Sequence, residues 1–347
     1  MVLPIPWLKK SVSCETIASR FMSPKLIHVG RSGKRKRQPP LPPRGGLGAT
    51  RARVPEADPI RAWDLIWHLV ATQRHRHPED NESAVNERFA RNEVVLIDGT
   101  PVAPDTVLAP GTDVFFYRRP APEVRVPYEI TTVFEDDHIL VVNKPPFLTT
   151  MPRGSHITES VTVRLRRATG NEDLTPAHRL DRATSGLILL TKRAELRGAY
   201  QELFARRHVN KIYEAVADDI GLTAPQTWEH HIEKNEGELA ARILAGREPN
   251  ALTDVSDVTP ILDPPGAARY LLHPVTGRTH QLRVQMLDAG VPIHGDPIYP
   301  KLQPLDEEDF AEPMLLSSVG ISFADPLSGE QRSFSTTGFS GLSVPEP

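Results

Sequence analysis

The stretch Pro176–Lys192, PAHRLDRATSGLILLTK, places a carboxylate at the start of an apolar strand. Asp181 lies between Arg179 and Arg182, and a turn of small residues separates it from the strand. A short apolar run bounded by turn residues is typical of a strand inside a folded core. Asp181 is therefore either one half of a structural ion pair or a reactive group that the strand holds in place. The rest of the chain decides between these two interpretations.

The composition indicates a folded protein in a reducing compartment. The chain has 347 residues, of which 39% are hydrophobic and 24% charged, and this balance is typical of globular domains. Cys14 is the single cysteine, so an internal disulfide and a cysteine-rich zinc site are both excluded. No apolar run reaches the length of a membrane span. We expect a cytoplasmic protein with no membrane partner.

The charge is unevenly distributed along the chain. The formal net charge is −3, yet residues 1–60 hold 12 Lys and Arg against 3 Asp and Glu. The window Val161–Tyr213, which contains the opening stretch, holds 11 Lys and Arg against 5 Asp and Glu. A basic region around a candidate site on an acidic protein favours a polyanionic substrate, although a solvated surface with no partner has the same pattern.

Composition and periodicity divide the chain into five parts. Trp63, Ile66, Trp67 and Val70 recur at helical spacing, and Ala84–Arg91 indicates a second helix. Asp98-Gly99 and Pro110-Gly111 indicate turns between short strands. The predicted parts are a basic Pro- and Gly-rich arm that is partly disordered (1–58), a small α/β-type unit (59–119), a linker (120–127), a large domain (128–338) and a tail (339–347).

The large domain is predicted to be α+β. Its apolar strands include HILVVNKP and GLILLTK, and Thr158–Thr169 and Arg193–Arg207 have helical patterns between strands. This alternation predicts a mixed, largely antiparallel sheet flanked by helices.

Four segments of this domain carry a family resemblance. HRLDRATSG (His178–Gly186) resembles the signature of the RluA-type RNA pseudouridine synthases. Three further segments occur in the order of that family: VVNKPPFLTTMPRG (Val141–Gly154), KIYEAV (Lys211–Val216) and PVTGRTHQLRVQMLDAGVPIHGDPIYP (Pro274–Pro300). The resemblance spans roughly Val126–Gly338. It implies a pseudouridine synthase catalytic domain.

The small unit has a weaker resemblance. Ala84–Tyr117 is similar to a small RNA-binding module first seen in a ribosomal protein, but SAVNERFARNE lacks most of the cations that the module's helix usually carries. We expect an RNA-binding-like fold there.

The resemblance implies a reaction and its catalytic residues. Conversion of uridine to its C-linked isomer breaks the glycosidic bond, turns the base and rejoins it through carbon, so no cofactor and no metal are expected. Asp181 is the implied nucleophile or proton acceptor. Arg278 is the implied cation that keeps it ionised, with Arg182 as an outer neighbour. Tyr213 offers an aromatic face to an extruded uracil and a hydroxyl for proton transfer.

The resemblance also implies residues that bind the substrate. Arg179 is expected to fill the space that a flipped-out uridine leaves. Thr184 and Ser185 are expected to shape the turn around Asp181, and His178 and His280 to be hydrogen-bonded rather than metal-bound. The implied substrate-binding residues are His178, Arg179, Thr184, Ser185, Gly277, Thr279 and His280.

Three functions remain open from the sequence. The first is a monomeric RNA pseudouridine synthase that acts on structured rRNA or tRNA. The second is a catalytically silent RNA-binding protein on the same scaffold. The third is a nucleoside or glycoside hydrolase, which usually needs a second carboxylate as acid, and none lies within these motifs. An intact Asp181 with Tyr213 and Arg278 favours the first over the second.

Overall fold

A small N-terminal unit precedes the catalytic sheet. The computed structural model describes residues 39–56, 58–303 and 308–339. In the N-terminal unit, β1, β5 and β3 form an antiparallel sheet, and β2 pairs with β4. Its elements are β1 (Thr50–Arg53), β2 (Ile60–Arg61), α1 (Ala62–Ala71), α2 (Glu82–Ala90), β3 (Val94–Leu96), β4 (Val107–Leu108) and β5 (Asp113–Phe116).

The two helices of this unit have simple physical causes. Ile66 and Val70 lie one turn apart on α1 and are fully buried against the apolar face of the three-stranded sheet. The side chain of Asn81 accepts a hydrogen bond from the backbone N–H of Ala84 and caps the start of α2. Burial of Val85 and Phe89 then attaches α2 to the same core.

The predicted boundary of the N-terminal arm is too late in the chain. β1 lies inside the arm proposed as residues 1–58, yet each of its four residues pairs with a residue of β5. The pairing satisfies backbone hydrogen bonds that a loose arm would leave to water. Residues 1–38 of the predicted arm and residues 340–347 of the tail lie outside the described residues.

A sheet of ten strands forms the catalytic domain. The main path runs in the order β11, β14, β15, β10, β16, β9, β7 and β6, with β17 beside β16 and β8 beside β9. Its strands are β6 (Thr131–Glu135), β7 (Ile139–Lys144), β8 (Thr175–Pro176), β9 (Ser185–Thr191), β10 (Val209–Asp218), β11 (Gln226–His230), β14 (Ala251–Ile261), β15 (Ala267–Pro274), β16 (Leu316–Ala324) and β17 (Gln331–Ser335).

Helices and a short hairpin accompany this sheet. The hairpin pairs β12 with β13 outside the main sheet. These elements are α3 (Val161–Thr169), α4 (Arg197–Ala205), which a short 3-10 turn (Ala194–Leu196) precedes, β12 (Ile232–Glu233), β13 (Arg242–Ile243) and α5 (Gln281–Asp288). In the described sheet, the pair of β9 with β16 is parallel and the other strand pairs are antiparallel. The prediction of an α+β fold with a mixed, largely antiparallel sheet is confirmed.

The opening stretch supplies the central strand β9. Ile188 and Leu190 pack on the side of α3, whereas Leu187 and Leu189 pack on the side of α4. Both faces of β9 are thus covered, which explains why its sequence is apolar throughout rather than alternating. Asp181 lies four residues before this rigid strand.

Gly186 permits the parallel contact of β9 with β16. Its φ is +107°, a conformation that residues with a side chain rarely adopt. A Cβ atom at this position would lie 2.3 Å from the carbonyl oxygen of Ser318. The small-residue turn after Asp181 is therefore required by the close approach of two strands. Within the described part of the chain, no helix combines the length and apolar character needed to cross a membrane.

Candidate active site

One cavity collects the residues that the sequence predicted as catalytic. Asp181, Tyr213 and Arg278 all line a cavity of about 140 Å³. The cavity lies between the loop before β9, strand β10 and the segment that joins β15 to α5. Arg179, Lys211, His280 and Arg283 complete its charged and titratable lining.

The cation beside Asp181 is Arg283. Its Nη1 lies 3.7 Å from the Asp181 Oδ2, and the Arg283 side chain is only 3% exposed, against 22% for Asp181. Arg283 also makes two shorter hydrogen bonds to Asp296, Nε to Oδ2 at 2.7 Å and Nη2 to Oδ1 at 2.5 Å. Burial opposes its charge, but the hydrogen bonds and charge of Asp296 raise the pKa of Arg283 above its usual value.

Backbone N–H groups that follow Asp296 in the chain hold its carboxylate in place. Its Oδ1 accepts backbone N–H groups of Ile298 and Tyr299 at 2.8 and 3.1 Å. Charge-assisted bonds of this kind fix both partners in one geometry. Asp296 therefore neutralises and orients Arg283, and Asp181 is the second, more exposed carboxylate beside the same guanidinium.

The assignment of Arg278 as the partner of Asp181 is wrong. The Arg278 side chain is exposed and its Nε donates to the backbone carbonyl of Asn250 at 3.3 Å. Arg283 lies on the first turn and a half of α5, where residues 281–286 are all buried. The helix therefore directs Arg283 inward, whereas Arg278 lies on the loop before the helix and lines the cavity with an exposed side chain.

A polar network fixes the start of α5. The Gln281 Oε1 accepts hydrogen bonds from the Thr276 hydroxyl at 2.7 Å and from the backbone N–H of Arg278 at 3.0 Å. The Gln281 amide donates to the carbonyl of Leu252 at 3.0 Å. His280, the residue before the helix, has a φ of +57°. Such a conformation in a residue other than glycine persists only where its surroundings hold it.

His280 is the second neighbour of Asp181. Its Nε2 lies 3.8 Å from the Asp181 Oδ2, and its Nδ1 lies 2.9 Å from the hydroxyl of Tyr299. Burial lowers the pKa of His280 to about 4. The imidazole is therefore neutral at neutral pH, and Arg283 supplies the positive charge beside Asp181.

Tyr213 faces the same cavity from β10. A β-bulge between Ile212 and Tyr213 interrupts the pairing with β16, and bulges of this kind re-aim a side chain next to a site. Burial raises the pKa of Tyr213 to about 12, the contact with Ser318 lowers it, and the charge of Asp181 raises it. The phenol keeps its proton at neutral pH and has a proton to give.

Lys211, two residues before Tyr213, was not among the predicted site residues. Its Nζ donates to the carbonyl of Thr276 at 2.9 Å and lines the cavity. Burial, reinforced by Arg207, lowers the pKa of Lys211 to about 8. The signal was present in KIYEAV, because residues two apart on a strand share a face.

Lys144 supports the loop of Asp181 from behind. The side chain is fully buried, and its Nζ donates to the carbonyls of Pro145, Leu148 and Arg182 at 2.8, 2.8 and 3.1 Å. Three acceptors match the three N–H donors of an ammonium group. Burial still lowers the pKa of Lys144 well below its usual value, followed by the effect of Arg182. Lys144 thus joins the loop after β7 to the backbone next to Asp181.

The structure divides the predicted substrate-binding residues into two groups. Arg179, Thr184, Gly277, Thr279 and His280 line the cavity, with Arg179 exposed at its edge. Ser185 and His178 are not among its lining residues.

Ser185 and His178 make structural contacts instead. The Ser185 hydroxyl donates to the carbonyl of Leu316 at 3.3 Å. The His178 Nε2 accepts the N–H of Leu189 at 3.1 Å, and its ring stacks on Phe204 with centroids 4.2 Å apart. Arg182 does not face Asp181; it forms a two-pronged ion pair with Glu308. Across residues 39–56, 58–303 and 308–339, no three His, Cys, Asp or Glu side chains are grouped to hold a metal ion.

Comparison with known proteins identifies the family of this site. Residues 138–288 match the family described as RNA pseudouridylate synthase. The dual-specificity RNA pseudouridine synthase RluA of Vibrio parahaemolyticus is 33% identical over 216 residues, which cover 58% of this chain and 80% of that protein. The chain belongs to the RluA-type RNA pseudouridine synthase family. It is therefore an enzyme, an isomerase that acts on RNA.

Two further relatives and one solved structure agree with this family. The RluA of Haemophilus ducreyi is 31% identical over 59% of this chain and 91% of that protein. The ribosomal large subunit pseudouridine synthase D of Neisseria meningitidis serogroup A is 29% identical over 69% of this chain and 67% of that protein. The human RNA pseudouridylate synthase domain containing 1 shares the fold, with a TM-score of 0.50, 23% identity, and coverage of 63% of this chain and 91% of that one.

Proposed function

We propose that this enzyme isomerises specific uridines in structured rRNA or tRNA, with Asp181 as the reacting carboxylate. The observation that supports this role is the division of labour between two carboxylates. Asp296 is 1% exposed and takes the bidentate contact with Arg283, whereas Asp181 faces the cavity with a 3.7 Å contact. Arg283 therefore has its structural ion pair without Asp181, which leaves Asp181 for chemistry.

The proposed reaction begins at the ribose of the target uridine. Asp181 attacks C1′ or removes a ribose proton, and the bond from C1′ to N1 of uracil breaks. The uracil turns and its C5 bonds to C1′ as the Asp181–C1′ bond breaks or, in the proton-abstraction route, as Asp181 returns its proton to the ribose. The proton on C5 then passes to solvent and N1 takes one from solvent, so the product is an isomer of uridine and the carboxylate is regenerated. Arg283 is held by Asp296, so its charge beside Asp181 needs no rearrangement during the reaction.

Tyr213 and Lys211 serve the base and the backbone in this proposal. The protonated Tyr213 phenol faces the cavity, where its ring can stack on uracil and its hydroxyl can take part in proton transfer at C5. Among the described residues, the Lys211 ammonium donates one hydrogen bond, to the carbonyl of Thr276, which leaves N–H groups available for a phosphate or base oxygen.

The position of the site supports base flipping as part of this proposal. Asp181 lies inside a cavity of about 140 Å³, which a base stacked in an RNA helix does not reach. The exposed Arg179 stands at the cavity edge, two residues from Asp181. We infer that Arg179 occupies the space that the extruded uridine leaves in the RNA.

The choice of rRNA or tRNA rests on the relatives. One relative is named a dual-specificity RNA pseudouridine synthase and another a ribosomal large subunit pseudouridine synthase. Pseudouridine mapping of total RNA from cells with and without the gene tests the proposal. We expect one or a few uridines in rRNA or tRNA to be unmodified in cells that lack the gene. Purified enzyme added to that RNA should restore the modification at the same uridines. Unchanged maps in both RNA classes would contradict the proposed substrate.

A further inference from the structure

A second and larger cavity lies where the N-terminal unit meets the catalytic domain. It measures about 450 Å³. Its walls come from α2, the segment before β1, the chain after β5 and the end of α3. Six arginines line it: Arg44, Arg88, Arg91, Arg118, Arg119 and Arg167.

Four of these arginines have carboxylate partners. Arg88 is buried and pairs with Asp80 at 2.7 Å, so it belongs to the core of the N-terminal unit. The other three pairs are more exposed: Arg44 with Glu93 at 2.7 Å, Arg91 with Glu87 at 3.1 Å and Arg119 with Glu79 at 2.5 Å. The three arginines are exposed and Glu93 is buried. Ion pairs between exposed side chains contribute little stability.

Arg118 and Arg167 have no such partner among the described residues. Arg118 is exposed, and its guanidinium lies 5.8 Å from the ring of Phe116. Arg167 is exposed, and its Nε donates to the carbonyl of Gly45 at 2.7 Å. Both guanidinium groups therefore keep N–H donors that face solvent. One comes from each side of the cavity.

The segment before β1 holds the two sides together. Arg166 and Arg167 of α3 donate to the carbonyls of Gly46 and Gly45 at 3.2 and 2.7 Å. A Cβ atom at Gly46 would lie 2.9 Å from the carbonyl oxygen of Val163, so the backbone approaches α3 closely. These contacts attach the segment before β1, which lines the cavity, to α3.

We propose that this arginine cavity binds the phosphate backbone of the substrate RNA outside the target nucleotide. The planar N–H fork of arginine fits phosphate oxygens, and RNA is the polyanion on which this family acts. The proposal rests on the proposed function for its ligand. It assigns the backbone contact to arginines from both sides of the junction rather than to the cation-poor helix α2 alone.

The cavity is connected to the active site through α3. The Thr162 hydroxyl donates to the carbonyl of Thr150, and the Thr150 hydroxyl donates to the carbonyl of Leu180, next to Asp181. Arg167 is five residues after Thr162, about 7.5 Å along the helix. The start of α3 thus contacts the loop of Asp181, and the end of α3 carries Arg167 at the arginine cavity.

The test removes the two unpaired cations and measures binding without turnover. The variant is R118Q/R167Q, and the probe is a short RNA of adenosine, cytidine and guanosine, whose affinity is measured from about 50 to about 200 mM salt. We expect the affinity at low salt to fall about tenfold or more, since two charge-assisted contacts are lost. The slope of log affinity against log salt should shrink by about 1.4 to 1.8.

A matched control separates the cavity from general charge. R53Q/R247Q removes the same number of charges from exposed arginines outside the cavity lining. R118K/R167K keeps the charges and should retain most of the salt dependence. The proposal is overturned if the slope of log affinity against log salt is the same for R118Q/R167Q and R53Q/R247Q. It is also overturned if R118K/R167K binds RNA as weakly as R118Q/R167Q.

Two further measurements keep the result interpretable. If the Arg167 change unfolds the protein in a thermal melt, R118Q alone is measured, because Arg118 makes no described hydrogen bond. At saturating substrate RNA, turnover of R118Q/R167Q should match wild type while KM rises. Because the binding probe has no uridine, a failure of the proposed pseudouridine formation leaves this binding result separately readable.

Discussion

The two cavities use arginine in opposite ways. In the active site, Arg283 is 3% exposed and bound on two sides by carboxylates, one of them through a bidentate contact. In the arginine cavity, Arg118 and Arg167 are exposed and have no carboxylate partner within the described chain. The first arginine is fixed before substrate arrives, whereas the others keep free donors.

This difference follows from what each cavity must do. A buried cation whose partners are already in place can stabilise charge at a reacting atom without moving. A backbone phosphate is a flexible, hydrated and repeated ligand, and exposed guanidinium groups bind it through release of counterions. We therefore expect changes in the active site to affect turnover and changes at the junction to affect affinity and its salt dependence.

The largest effect should come from Arg283. Arg283→Met leaves Asp296 buried without its partner, so the free energy of unfolding should fall by about 3–5 kcal/mol. Arg283→Lys keeps the charge but loses the two-pronged contact, and its turnover should fall about 10²- to 10³-fold. Turnover, melts and pH–rate profiles check both variants.

Arg278→Met provides the matched control for this pair. Arg278 is exposed, and the described hydrogen bond of its side chain goes to the carbonyl of Asn250. We expect it to raise KM by at most about tenfold, as the loss of one exposed contact would, and to leave the pH profile in place. Equal effects of the two arginines would contradict the assignment.

Tyr213→Phe should have the second largest effect. It preserves the aromatic face and removes only the hydroxyl, so RNA affinity should change little. Release of the C5 proton should slow by about 10²-fold, the lower end for a general acid–base group. Tritium release from RNA labelled at C5 of uridine, measured beside RNA binding, separates the two roles. A loss of affinity with normal proton release would show that the hydroxyl only binds RNA.

Lys144→Met should act on stability and on the loop of Asp181. It leaves the carbonyls of Pro145, Leu148 and Arg182 without their donor. The free energy of unfolding should therefore fall by about 1–3 kcal/mol. Lys192→Met is the control, because Lys192 forms a partly exposed ion pair with Glu135. This substitution should lower the free energy of unfolding by less than about 1 kcal/mol. Denaturant titrations compare the two. Equal stabilities would contradict the supporting role of Lys144.

The smallest effect should come from Lys211 and should depend on pH. The pKa of Lys211 is lowered to about 8 by burial, so its positive charge is present below pH 8 and is lost as pH rises through that value. We expect kcat/KM of the wild type to fall above pH 8, and Lys211→Met to lose about tenfold at neutral pH, the cost of one charge-assisted contact.

Two further measurements test the role of Lys211: kcat/KM of Lys211→Arg, and the free energy of unfolding as a function of pH. The arginine stays charged, so its kcat/KM should hold above pH 8. Because the folded state disfavours the charged lysine, the unfolded chain holds more protons between pH 8 and the usual lysine pKa. The free energy of unfolding should therefore rise with pH in that window, and Lys211→Met should reduce the slope. A pH profile unchanged by either substitution would remove Lys211 from RNA binding.

The sequence predicted the fold and the meeting of Asp181 with Tyr213 for a physical reason. GLILLTK is a short apolar run bounded by turn residues, which favours a buried strand and places the preceding turn at its end. The family resemblance of the four segments then implied that Asp181 and Tyr213 meet in one site. It also led to Arg278 as the cation beside Asp181, whereas the structure places Arg283 there, because α5 buries the arginine of QLRVQ next to two carboxylates.

Two other features depended on contacts that sequence patterns do not carry. TRAR (Thr50–Arg53) has the polarity of a loose arm, and only its pairing with β5 makes it a strand. Lys144 looks like an ordinary surface cation at the end of a strand, and only the convergence of three carbonyls shows that it is internal. Both errors arise where partners distant in sequence override local preference.

The central claim is that Asp181 performs the chemistry and that Asp296 alone suffices to hold Arg283. Single-turnover tritium release by Asp181→Asn, on uridine-labelled transcripts of the RNA identified by mapping, tests it most directly. We predict a variant that melts within about 1 kcal/mol of wild type, since only a partly exposed contact is lost, binds the RNA and releases no detectable tritium. Product formation that falls only in proportion to the folded fraction, with a stability loss of about 3–5 kcal/mol, would instead show that Asp181 is a structural partner and contradict the account.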